Sequence, residues 1–162
     1  MIEKAERLKN QIFFDDRGSF SPLSLNLLDK VWVQSNISVN PKKWTLRGLH
    51  YQKGWYSQSK LIKVIKGEIL DFVVDLRDDT LSVVEFFEMS EGDEIIVPKG
   101  YAHGFITLEE NTVVQYLVDN EYNPNSEGNI VWTNFESILN KIKEVSPEFN
   151  DSKVIISKKD LI

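Results

Sequence analysis

Cysteine is absent from the 162 residues, which removes disulfides and thiolate metal sites and fits a reducing compartment. Histidine is scarce, at two residues, so no centre of three or more His/Cys ligands can be assembled and carboxylates would have to complete any metal site. No uninterrupted apolar run reaches the roughly 18 residues that a membrane helix needs. Residues 1–10 interleave Glu3, Lys4, Glu6, Arg7 and Lys9 with apolar residues, where a secretion signal carries an apolar centre. There is no dense basic run, and a net charge of −6 leaves nucleic acid without its electrostatic footprint, although scattered Lys and Arg residues suffice for a small anionic ligand. These absences predict a soluble, cytoplasmic protein with neither nucleic acid nor membrane as partner.

What is present is a chain that is 41 % hydrophobic, enough for one substantial core, and residues 1–162 are read as a single domain. In residues 30–39, Val31, Val33, Ile37 and Val39 share one parity, the period of a strand with one buried face. Residues 61–65 and 69–76 are two β-rich runs separated by Lys66-Gly67-Glu68, which reads as a hairpin or tight corner. Further strands are expected at 83–89, 94–97, 103–108, 112–118 and 129–132, bounded by Gly92, Pro98, Gly100, Asn111 and Pro124. Many short, closely spaced strands favour a sandwich or barrel. Phe135, Ile138, Leu139, Ile142 and Val145 recur at helical spacing, with Asn134 placed as cap and Pro147 beyond the end. Val154-Ile155-Ile156 offers one more strand in an otherwise polar tail.

Gly92 followed by Pro98-Lys99-Gly100-Tyr101-Ala102-His103 has the spacing of the second box of cupins, small double-sheet β-barrels. A turn at Gly92 leads into a strand, and Pro98 and Gly100 then steer the backbone so that His103 faces the interior. The first cupin box supplies two His and a Glu as metal ligands. Here the comparable strand reads Arg47-Gly48-Leu49-His50-Tyr51-Gln52, with Gln52 in place of the second His. No metal and no other cofactor is expected.

Four blocks in order make the likeness more specific: Phe14-Asp15-Asp16-Arg17-Gly18, Gln34-Ser35-Asn36-Ile37-Ser38, Leu46-Arg47-Gly48-Leu49-His50-Tyr51-Gln52, and Pro98-Lys99-Gly100-Tyr101-Ala102-His103-Gly104-Phe105. With Gln58-Ser59-Lys60-Leu61, the run from Asp71 to Arg77 and the stretch from Tyr116 to Gly128, they resemble the dTDP-4-dehydrorhamnose 3,5-epimerase family, over residues 13–132 and again at Ser157-Lys158-Lys159-Asp160. The resemblance implies an all-β cupin jelly roll with short helical additions near the C-terminus. It implies an epimerase that inverts carbon 3, carbon 5 or both of a nucleoside-diphosphate 4-keto-6-deoxy sugar.

That reaction needs a base for a proton beside a ketone, a group to hold the enolate, and an acid on the opposite face. By resemblance His50 is the base, Asp160 the carboxylate that orients it, Lys60 the cation beside the ketone and Tyr116 the proton donor. Arg17 and Arg47 grip the diphosphate and nucleotide, and Gln34, Asn36, His103, Tyr122, Glu127 and Lys159 fall on further binding positions. Some of these come from a neighbouring subunit in the family, which implies a homodimer with strand exchange at the edge.

Other readings of the same residues stay open. Tyr122 competes with Tyr116 for the acid role, and either phenol can serve as a core-edge aromatic. Lys60 has an alternative as a solvated strand residue, the reading adopted for Lys63 and Lys66. Asp160 would by default be a terminal charge unless the chain folds back over the barrel mouth. Where the family has an aromatic run and a Glu that contacts the nucleotide, this chain has Ser19-Phe20-Ser21-Pro22, which admits a guanine or cytosine nucleotide or another sugar. The family's Trp-Pro pair after the last common strand is missing, and its tail beyond Asp160 is not matched. A keto-isomerase, a non-catalytic sugar-nucleotide-binding cupin and a metal-dependent dioxygenase are the rival functions.

Overall fold

The computed structural model describes residues 3–23, 25, 29–77 and 83–161. Its strands are β1 (Glu6–Arg7), β2 (Phe13–Asp15), β3 (Gly18–Phe20), β4 (Gln34–Asn40), β5 (Leu46–Gln52), β6 (Lys60–Lys66), β7 (Glu68–Asp75), β8 (Val84–Ser90), β9 (Glu94–Val97), β10 (Tyr101–Thr107), β11 (Thr112–Val118) and β12 (Glu127–Asn129), followed by helix α1 (Glu136–Val145). One five-stranded sheet has the order β1-β9-β6-β11-β4 and the other β12-β5-β10-β7-β8, with β2 and β3 forming a separate hairpin. Every pairing within them is antiparallel. This is the jelly roll that the sequence predicts, with strand ends displaced by a few residues.

Alternation along the strands builds three apolar layers. Ile62, Val64, Ile95, Val97 and Val114 of the first sheet meet Ile69, Val73, Tyr101 and Phe105 of the second in the barrel interior. The opposite parity of the second sheet, Leu46, Leu70, Phe72 and Ile106, is covered from outside by Trp132, Phe149 and α1. On α1, Ile138 and Ile142 are fully buried, each burial contributing about 1.5–3 kcal/mol, so this pair decides whether the helix docks. The outer face of the first sheet carries a smaller layer, Leu61, Ile96 and Leu117, against Leu8, Leu23 and Trp32.

Four expectations are corrected. The Val31, Val33, Ile37 and Val39 parity faces outward, with Ile37 67 % and Val39 60 % exposed. The inward positions of β4 are instead polar because Asn40 bonds Thr112 and Arg47 inside the barrel. Asn134 does not cap α1: its N–H closes the preceding turn on the Val131 carbonyl, and Phe135 occupies the cap position without a side-chain bond. Residues 129–132 do not form the expected strand, since β12 ends at Asn129 and Trp132 opens a 3-10 turn. Lys63 is not solvated but buried in an ion pair with Glu94 at 2.7 Å, its cross-strand partner, with Ser21 Oγ accepting from it at 2.7 Å.

Candidate active site

A cavity of about 580 Å³ lies between the two sheets and reaches out to the C-terminal segment. His50 enters it from β5 and His103 from β10, and these residues are direct cross-strand partners. Their strands approach unusually closely: a Cβ on Gly48 would lie 2.6 Å from the His103 carbonyl oxygen, and one on Gly104 would lie 2.8 Å from the Arg47 carbonyl oxygen. Neither contact is tolerable, so the glycines of Arg47-Gly48 and His103-Gly104 set the depth of both imidazoles.

The C-terminal segment folds back over this end of the barrel. Ile155 is fixed by its N–H on the Trp44 carbonyl and by the Leu46 N–H on its own carbonyl, and a 3-10 turn follows over Lys158–Leu161. The expected strand at 154–156 is thus a single parallel bridge. The turn buries Asp160, whose Oδ1 lies 2.8 Å from His50 Nε2 while Oδ2 accepts the Gly48 N–H at 3.3 Å. With Nε2–H donated to the carboxylate, Nδ1 holds the ring's lone pair. Burial pushes His50 below the ordinary imidazole range, with Lys60 and Lys159 adding to this and Asp160 opposing it.

Lys60 arrives from β6 and Tyr116 from β11, on the facing sheet. The Lys60 ammonium donates to the His50 carbonyl at 3.1 Å. Burial pulls it down to about 8, while Asp71 and Glu127 act in the other direction. Burial raises Tyr116 above the usual phenol range, against the pull of Arg47, and so keeps its proton in place. At the rim, Lys159 pairs with Glu127 at 2.6 Å, and the Tyr122 hydroxyl donates to Glu127 at 2.9 Å. Burial would raise Glu127, but these two partners bring it below the usual carboxylate range. Arg47 directs its Nε–H to Asn40 at 2.8 Å.

A model of the dTDP-4-dehydrorhamnose 3,5-epimerase family matches residues 1–162. The chain belongs to that family. Among its relatives is the Escherichia coli K12 dTDP-4-dehydrorhamnose 3,5-epimerase, 34 % identical over 142 residues that cover 81 % of this chain and 76 % of the relative. The Bacillus anthracis enzyme, solved with TDP and PPi bound, superposes with a TM-score of 0.81 at 35 % identity, covering 98 % of this chain and 91 % of the other. The Legionella pneumophila enzyme, in complex with dTDP-4-keto-L-rhamnose, gives 0.78 at 29 % identity, with 98 % and 86 % covered. As an epimerase family member the chain is an isomerase, and the assembled groups suit that chemistry: a carboxylate-held imidazole, an ammonium and a protonated phenol around one cavity.

Of the twelve residues singled out from sequence, nine line this cavity: His50, Lys60, Tyr116, Asp160, Arg47, His103, Tyr122, Glu127 and Lys159. Three do not. Arg17 lies on the β2–β3 hairpin, 90 % exposed and, among the described residues, paired with Asp15 of its own turn at 2.6 Å. Gln34 and Asn36 lie on the edge strand β4, opposite Val118 and Tyr116, and bond each other at 2.6 Å. Sequence reasoning put Asp71 in a family-like block but gave it no place in the site; its Oδ2 holds His103 Nε2 at 2.7 Å, and a charge inside the apolar run from Ile69 to Val74 is the signal that could have found it. Gln52 is occupied structurally: its amide donates to the Tyr56 and Glu121 carbonyls and accepts from the Asn123 N–H. Among the described residues no group of three or more His, Cys, Asp or Glu is placed to hold a metal, and no helix is long and apolar enough to cross a membrane.

Proposed function

We propose that this enzyme inverts carbons 3 and 5 of a dTDP-linked 4-keto-6-deoxyhexose through enolate intermediates. The observation that carries the reading is the convergence of the His50–Asp160 pair and Lys60 with Tyr116 on one cavity from facing sheets. His50 Nδ1 removes the proton beside the ketone, and Asp160 stabilises the imidazolium that forms. The electron pair moves onto the ketone oxygen, where Lys60 meets the new charge in a water-poor site. Tyr116, coming from the opposite sheet, returns a proton to the other face of the ring, and inversion results. Acid–base participation of this kind is worth on the order of 10²–10⁴ in rate. Arg47 and Lys159 face the diphosphate. The thymidine nucleotide is favoured by the TDP and dTDP-sugar held in the two related structures.

The working unit in this reading is a cytoplasmic homodimer. The outward apolar face of β4 is an unpaired sheet edge, and an exposed apolar edge strand is an association surface. Phe13, Phe14 and Phe20 on the β2–β3 hairpin are likewise exposed. A hairpin crossing that edge would carry Arg17 to the partner's cavity, beside Gln34 and Asn36. The test is incubation with dTDP-, GDP- and CDP-linked 4-keto-6-deoxy sugars in deuterium oxide, read by mass and proton NMR. Two deuterons with inversion at both carbons of the dTDP sugar are expected. Incorporation at one carbon would reduce the activity to mono-epimerisation, a moved ketone would make the protein a keto-isomerase, and none with any substrate would make it a binding protein.

A further inference from the structure

Asp71 stands on the interior parity of β7, between Ile69 and Val73, which belong to the layer between the sheets. It is fully buried. One oxygen holds His103 at 2.7 Å, and the other, Oδ1, has no hydrogen-bond partner among the described residues. A half-satisfied carboxylate in an apolar interior is costly unless a nearby charge compensates it. Lys60 projects into the same interior from the facing sheet, on the parity of Ile62 and Val64. Its ammonium donates to the carbonyl of His50 on β5, Asp71 of β7 and Glu127 of β12 act on it by charge, and His103 of β10 and Tyr116 of β11 line the same cavity. Of the two carboxylates that act on it, Glu127 is already bonded to Lys159 and Tyr122. Asp71 has an oxygen to spare.

We propose that Asp71 is a positioning residue for the epimerisation, a single buried counter-charge that holds His103 by a hydrogen bond and Lys60 by charge. Lys60 then presents its ammonium to the sugar's ketone oxygen as it becomes an enolate, with His103 fixed beside it. The proposal rests on the function given above. His103 and His50 thus form two parallel His–carboxylate pairs facing each other across the β5–β10 ladder, one set for proton removal and the other tied through Asp71 to the cation beside the oxygen. Burial alone raises the Asp71 carboxyl, with His103 and Lys60 opposing it. The same proximity counters the burial that brings Lys60 to about 8. Removing the Asp71 charge therefore takes Lys60 down, by about 1–3 pH units for an opposite charge at close range, and leaves it mostly neutral above neutral pH.

The experiment follows Lys60 directly. Protein carrying ¹³C at the lysine ε carbons is titrated by NMR without substrate, for the unmutated chain and Asp71→Asn, with Lys60 assigned from a Lys60→Arg sample. The expected result is a Lys60 midpoint lower by at least about one pH unit, with the alkaline limb of kcat/KM displaced equally and activity partly recovered on the acid side. A merely structural role would lower activity alike at every pH. An unmoved Lys60 midpoint overturns the proposal, since it means that Asp71 is uncharged or electrostatically separate. If Asp71→Asn does not fold, Asp71→Ser, which removes the same charge, gives the same two readouts. The titration needs no turnover, so an inactive unmutated protein would refute the proposed function while the Lys60 midpoint still decides the role of Asp71.

Discussion

Replacing Asp160 by Asn tests how far the His50 pair governs the reaction. The substitution keeps size and shape but removes one charge from a buried carboxylate that takes two hydrogen bonds, from His50 at 2.8 Å and from the Gly48 N–H at 3.3 Å. The charge matters most after proton transfer, when His50 is an imidazolium, so its loss falls on the transition state. A charge-assisted hydrogen bond is worth about 1.5–3 kcal/mol, and about 1.4 kcal/mol is a factor of ten. The expected drop in kcat is therefore one to two powers of ten, with KM little changed. The pH profile supplies the sign. His50 must be neutral to accept a proton, so kcat/KM falls as pH drops through its pKa. Burial already sets that limb below the ordinary imidazole value, and Asp160 opposes the displacement. Removing Asp160 moves the acid limb lower still, even as the maximum rate falls. Initial rates of inversion from about pH 5 to 8, bracketing the imidazole range, read both effects. A full-speed Asp160→Asn enzyme, or an acid limb that moves upward, would refute the assignment of His50 as a base held by Asp160.

Tyr116→Phe removes only the phenolic proton; solvent deuterium should still enter the sugar with retained configuration, while inversion seen by proton NMR falls by about 10²–10⁴. Lys63→Ala strands the Glu94 carboxylate under the N-terminal segment and should cost about 3–5 kcal/mol in denaturant unfolding, whereas Lys63→Met with Glu94→Leu should be near neutral. Ile37→Glu on the outward face of β4 should yield a monomer by light scattering, with impaired activity. Arg17→Ala should raise KM and leave the oligomeric state unchanged.

The fold was legible because its signals are local: alternating runs, Lys66-Gly67-Glu68 between two of them, and a helical stripe whose Ile138 and Ile142 are buried as the spacing requires. The face of β4 was not. A two-residue period states that two faces differ but not which one meets the interior, and the polar needs of Arg47 and Thr112 decided it. The same limit applied to Lys63, which looks like any strand-surface lysine until Glu94 is known to lie opposite. Nine residues that line the cavity were legible through the motif blocks, while the place of Asp71 beside His103 depends on a pairing between β7 and β10 that no sequence spacing reveals. Arg17, Gln34 and Asn36 lie beyond the reach of one chain's geometry, as residues would that act across a subunit boundary.

In the proposed reaction the barrel runs an enolisation on its own side chains, and Gln52 has a structural part in it. At the strand position where a metal-binding cupin places a histidine, its amide is spent on three backbone groups, those of Tyr56, Glu121 and Asn123. It therefore ties the 53–58 loop to the 119–123 loop, and the second of these carries Tyr122 to the rim. In the proposed mechanism the positive charge that an enolate requires comes from Lys60 on the facing sheet, anchored on the carbonyl of His50 itself. Base and cation are thereby fixed to one another through the backbone, so their separation does not depend on flexible side chains finding each other. For that role a lysine must stay charged despite its burial. Its counter-charges are for that reason as much a part of the catalytic arrangement as the groups that touch the sugar.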